Sequence, residues 1–389
     1  MQLRQEKNSS KMFPGDAKIL CGEKSLNISE IREESAITGA CGWGDLALTR
    51  VKDVFVNYDH KIPLLKISTS RGAVIRCTPD QLCFGRINPR IRQYSIYLHE
   101  RSSLGFRIGN SSDLMRDIIA MSNLKQDLFN QQNEVIDRIW IFETTANLPN
   151  ATFIEKYATF KYGLPNVPFS ARQPESELSE EMIRELFNSI DTPFRAHELL
   201  RDWNMFIDHP HITMRLSNKS NPNPTSNAIQ FVLFGGAEKS ASSERYSHLI
   251  QIDGALEQNR AEHRQFKRKQ SKQGLWYLEI TRDDLEEAEL FVKTLSHLDG
   301  LEIVKKIQLT RKSPFYILPA SHLKPGMLVP VVGKKGKIEE DTILAVDTQD
   351  YKGPLYNLQV HNLYNFITGQ WVVMCYDLSR TLKRSASAD

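Results

Sequence analysis

Cysteine is scarce in this chain of 389 residues. Cys21, Cys41, Cys77, Cys83 and Cys375 are the only five, an odd number with no pair at C-x-x-C spacing. That pattern argues against a disulfide framework or a zinc ribbon and predicts reduced, mostly buried thiols. Long apolar runs are also missing, so no segment reads as a membrane span. The opening residues Met1-Gln2-Leu3-Arg4-Gln5-Glu6-Lys7 lack the apolar centre of a signal peptide. Both absences predict a cytoplasmic protein with no membrane partner. An excess of one charge is lacking too: 50 Lys and Arg against 47 Asp and Glu leave +3. Global charge therefore gives no argument for nucleic-acid binding. There is no repeat at solenoid periods, and no Gly-x-x-x-x-Gly-Lys-Thr phosphate loop, which excludes an ATP-driven helicase activity.

What is present is a change of texture along the chain. Residues 1–11 are polar, as is the tail 378–389. From Asp16 to about Leu82 the pattern is short, β-branched strands separated by turns, and the same texture returns after Gly326 and runs to Cys375. The middle alternates. Strands are predicted at 93–99, 104–109 and 137–143, and helices over 113–124 and 151–162. Two helices fall within 177–203, with Thr192-Pro193 as cap and first turn. Short strands are expected at 228–234 and 246–252, and a polar, partly basic helix near 256–272. A capping box at Thr281-Arg282-Asp283-Asp284 opens a helix with Leu285, Ala288, Phe291, Val292 and Leu295 on one face. Two ends that share one texture predict one domain interrupted by another.

Four stretches at those ends resemble the sequence blocks of inteins and other Hint domains. Met12-Phe13-Pro14-Gly15-Asp16-Ala17-Lys18-Ile19 resembles the opening block, and Ser68 to Gln81, ending Thr78-Pro79-Asp80-Gln81, resembles the block that closes Thr-x-x-His. Tyr351 to Val360 and Tyr364 to Cys375 resemble the last two blocks. The resemblance implies a mainly β Hint fold built from both chain ends and interrupted by an α/β insertion. The implied bounds are 12–88 and 316–377 for the Hint halves, 89–170 for a first α/β module and 171–315 for the rest of the insertion. Splicing needs a thiol or hydroxyl nucleophile, a proton-shuttling histidine and a terminal asparagine that cyclises. Met12, Gln81, Tyr364, Met374 and Cys375 stand at those places, so the chain is expected to be unable to splice. If Cys375 instead follows the splice site, Met374 stands for the asparagine, with the same result.

Words such as Gly105-Phe106-Arg107-Ile108-Gly109, Tyr162-Gly163-Leu164-Pro165 and His209-Pro210-His211 resemble inteins lodged in UvrD-type DNA helicases. Many inteins carry a homing endonuclease in the insertion, and the first module is weakly similar to GIY-YIG nucleases. Ser95-Ile96-Tyr97 and Arg107-Ile108-Gly109 stand in for the two signature triplets, with Arg116 seven residues past Gly109 and Glu155 on a predicted helix. The resemblance implies Tyr97, Arg116 and Glu155 as candidate catalytic residues, with Glu155 holding Mg2+ or Mn2+ if the nuclease is active. Arg107 and the basic run Arg264, Lys267, Arg268 and Lys269 are candidate phosphate contacts, although such a run is also a common solvated face. His209 and His211 lack a third ligand and read as a structured loop. The expected function is a splicing-inactive, intein-like protein whose insertion binds DNA. The alternative is a non-enzymatic interaction module whose partner is a helicase or another protein.

Overall fold

The computed structural model describes residues 11–58, 63–114, 137–169, 171, 178–213, 228–239, 245–253, 262–270 and 276–375. The chain divides into two compact units. One comprises residues 1–85, 217–320 and 328–389, the other residues 86–216 and 321–327.

In the first unit, strands from the two ends of the sequence pair with one another. Phe13–Pro14 lies antiparallel to Leu355–Val360, which also pairs with Asp45–Asn57, itself paired with Ala36–Gly42. Leu82–Gly85 runs between Phe315–Pro319 and Trp371–Met374, and Leu64–Thr69 pairs with Ile338–Gln349. The mainly β fold expected from both chain ends is thus what forms. Its strands alternate or run apolar, as β-branched sequence dictates. Phe13 meets Phe366 edge-on at 5.6 Å, and Trp371 is fully buried. Each such side chain contributes roughly 1.5–3 kcal/mol of burial.

The same unit holds an α/β portion. Ala228–Leu233 lies parallel to Glu302–Ile307, a pairing that requires a crossover. The helix Leu285–Asp299 lies within it, capped by Asp284, whose side chain accepts from the Glu287 N–H, and ended by Gly300 in the left-handed conformation. Leu285, Ala288, Val292 and Leu295 are buried as their spacing predicts. The basic helix expected near 256–272 is not found among the described residues of that range, 262–270. Residues 262–265 form a 3-10 turn, and Lys267–Gln270 is an edge strand antiparallel to Trp276–Arg282. Only Phe266 of the run is buried, stacked on Phe291. One apolar anchor cannot seat a helix, whereas a strand recovers ladder hydrogen bonds and pairs Lys269 with Glu279.

The second unit is an antiparallel sheet in the order Gly105–Ser111, Tyr94–Arg101, Arg138–Thr145, Ile212–Thr213. It carries three described helices: Leu148–Tyr162 (α1), Glu180–Ser189 (α2) and Thr192–Asp202 (α3). The predicted helix over 113–124 falls mostly outside the described residues. The α3 cap is Asp191, one residue before the expected Thr192; its carboxylate accepts from the Phe194 N–H. Thr192 is instead buried, and its hydroxyl accepts from the Phe106 N–H. No helix among the described residues is long and apolar enough to cross a membrane.

Candidate functional site

The residues that the block resemblance picks out converge in the first unit. Strand pairing of Phe13 with Tyr356 carries residues 11 and 12 past Asn357. The turn after Val74–Cys77 brings up Thr78. The peptide bond between Lys11 and Met12 is held from both sides. Its carbonyl accepts from Nδ2 of buried Asn357 at 2.6 Å, and its N–H donates to Oγ1 of Thr78 at 2.9 Å. The Thr78 N–H donates back to the Met12 carbonyl. Asn357 Oδ1 accepts from the Leu358 N–H, which fixes the amide so that nitrogen faces Lys11.

The side chains at the block positions pack. The Met12 thioether is buried among Phe55, Leu64 and Leu355. Gln81 is buried, and its Nε2 donates to the Met374 carbonyl at 2.8 Å and the Leu82 carbonyl at 3.0 Å. Met374 and Cys375 are buried, and the Cys375 N–H donates to the Tyr364 carbonyl. Tyr364 sits in the left-handed region at φ 57°. Its phenol is pushed up to about 12, first by burial and then by Glu286 and Asp284, so it stays protonated at neutral pH. Asn365 clamps Ala40 through both amide ends. The fold thus gathers Met12, Gln81, Met374 and Cys375. Sequence reading missed Asn357. An asparagine in mid-strand is a propensity outlier, which is the signal it offered.

The nuclease constellation is not assembled in this way. Tyr97 packs with Leu114, Ile139, Ile141 and Ile212 on one face of the second unit's sheet and stacks on His99 at 4.2 Å. Glu155 is on α1, whose Ala151 and Ala158 cover the opposite face with Ile96 and Leu98. Both reach Asn110 from their own sides: the Tyr97 hydroxyl donates to its carbonyl, and its side-chain amide donates to Glu155 at 2.5 Å. Arg107 lies over the Phe169 ring at 5.5 Å. Arg116 is outside the described residues. Among the described residues no group of three or more His, Cys, Asp or Glu is placed to hold a metal ion. A single carboxylate committed to an amide does not fit Mg2+ or Mn2+, which require several oxygen ligands.

Arg264, Lys267, Arg268 and Lys269 are exposed, on or beside the edge strand. His211, by contrast, is buried, with both ring nitrogens engaged. Nδ1 accepts from the Ile141 N–H, which leaves Nε2 to donate to the His322 carbonyl at 2.7 Å. No lone pair remains for a metal, so His209-Pro210-His211 is structural. Burial pushes His211 down to about 4 and His322 well below the ordinary range.

No protein-family model matches this chain, and no curated protein does. A solved mini-intein does match. It is a mutant of a variant of the Ssp DnaB mini-intein, with a TM-score of 0.26 and 9% identity over 94% of this chain and 99% of that one.

Proposed function

We propose that this chain is a Hint-type scaffold that grips the 11–12 peptide bond without breaking it. The observation that carries the reading is the two-sided hold on that bond, by Asn357 on the carbonyl and Thr78 on the N–H. A donor on a carbonyl oxygen stabilises the oxyanion of a tetrahedral intermediate. The attacking group is what is missing: a thioether has no proton to lose, and the Gln81 amide cannot relay one. The test restores the nucleophile. Met12→Cys, alone and with Gln81→His, is incubated with dithiothreitol or hydroxylamine, and the products are weighed by mass spectrometry. A fragment beginning at residue 12 is expected from the variants and not from the parent. Folded variants that stay intact overturn the reading.

DNA is the partner class proposed for the basic edge strand. Every side chain of Lys267–Gln270 is exposed, and contacts from Lys267, Arg268 and Lys269 predict a slope of log affinity on log salt of about −3. A slope near zero in gel-shift titrations favours the interaction-module reading, with a helicase or other protein as partner. Nuclease activity is not part of the proposal, because Tyr97 and Glu155 serve opposite faces of one sheet.

A further inference from the structure

The first unit contains a cavity of about 440 Å³ that neither the splicing positions nor the basic strand uses. This is within the range that holds a small organic ligand. Four cations line it, from three separate segments: Arg71, Arg311 with Lys312, and Lys337. Three carboxylates line it too, and each is already engaged. Glu339 pairs with Arg71. Asp45 is shared by Lys337 at 2.8 Å and Lys239 at 3.2 Å. Those lysines hold the Asp45 carboxyl below its usual range. Glu340, with its side chain 7% exposed, accepts from Lys312 at 2.7 Å and from the Thr310 hydroxyl at 3.2 Å. The remaining guanidinium, Arg311, has no hydrogen bond or ion pair among the described residues.

One wall is Trp43, held in the left-handed conformation at φ 51° between Gly42 at 109° and Gly44 at 96°. Its indole N–H donates to the Gly236 carbonyl at 2.9 Å, and its ring packs on Tyr246. A tryptophan in that conformation is strained, and such strain persists where surrounding structure holds it. At Gly42 a side chain would force a shift, since a Cβ would come within 2.7 Å of Phe234 Cβ. The turn therefore sets Trp43 in the lining of the same cavity as an unengaged guanidinium, with surplus positive charge.

We infer that this cavity binds a small phosphate monoester carrying a planar ring, with Arg311 on the phosphate and Trp43 beside the ring. Guanidinium groups take phosphate through paired N–H donors, and the carboxylates nearby are neutralised and do not repel it. The inference is independent of the Hint reading.

The test is isothermal titration calorimetry at low salt with AMP, inorganic phosphate and adenosine as probes. One saturable AMP site is expected, tighter than inorganic phosphate. Arg311→Ala should weaken it about tenfold, as expected for a lost charge-assisted hydrogen bond. Arg311→Lys, which keeps the charge and loses the fork, should fall between. Absence of saturable AMP binding overturns the proposal. So does unchanged affinity in Arg311→Ala, or adenosine binding as tightly as AMP. Equal affinity for inorganic phosphate and AMP overturns the ring contact.

Discussion

Lowering the pH from 7.5 to 5.0 should destabilise both units through buried histidines. His211 in the second unit and His248 in the first are buried and held neutral, pushed down by burial to about 4 and about 3 from an ordinary 6.5. A group whose folded pKa is depressed this way favours the folded state fully above 6.5. Below that, the unfolded chain takes up a proton the folded chain refuses, and stability falls until the folded value is reached. At pH 5.0 both folded values still lie below the solution pH. Each histidine then costs about 2 kcal/mol relative to pH 7.5 by proton linkage. His99 and His322 are shifted in the same direction by burial. Asp45, Asp202 and Asp341 are held below the ordinary carboxylate value of 3.8 and contribute little above pH 5. Hydrogen exchange at both pH values, read on Arg138–Thr145 for one unit and on Ala228–Leu233 for the other, separates the contributions. His211→Gln, which can still accept from Ile141 and donate to His322, should remove about 2 kcal/mol of the pH response from Arg138–Thr145 only. Equal protection at pH 7.5 and 5.0 in the parent would refute the reasoning.

Other perturbations follow from single contacts. In the Met12→Cys background, Asn357→Leu should slow thiol-induced cleavage by about 100-fold, as loss of an oxyanion donor does; an unchanged rate removes Asn357 from that role. Gly105→Ala should destabilise the second unit by roughly 2 kcal/mol or more, read by urea denaturation. Gly105 is at φ 129°, and a Cβ there would meet the Thr192 hydroxyl at 2.1 Å. Lys267→Glu with Arg268→Glu should abolish retention on duplex DNA at low salt while leaving the circular dichroism spectrum unchanged. If retention survives, the edge strand is not the contact.

The β texture at the two ends was legible because short apolar, β-branched runs between turn residues are local signals, as in Leu64–Thr69 and Trp371–Met374. That the ends share sheets is a long-range fact that texture could only suggest. The basic run 264–269 was misread because Lys, Arg and Gln favour helix when nothing competes, and its pairing with Trp276–Arg282 is a tertiary override. Met12, Gln81, Met374 and Cys375 were singled out by a resemblance to a block pattern. Asn357 was not, since its importance lies in which way its amide faces, and that is set by the Leu358 N–H. Tyr97 and Glu155 matched a motif by spacing, but spacing along a chain does not say which face of a sheet a side chain serves.

The pairing of the two chain ends has a consequence during synthesis. Strand Leu82–Gly85 is fully buried in the finished protein, yet one of its partners, Trp371–Met374, is made 292 positions later, counting from Leu82 to Met374. At ordinary translation speeds that interval is roughly 15 to 60 s. For that time an apolar strand has an open edge, a template for mispairing with neighbouring chains on the same message. Chains truncated before Trp371 should therefore still be recognised by proteases and holding chaperones, whereas released full-length chains should not.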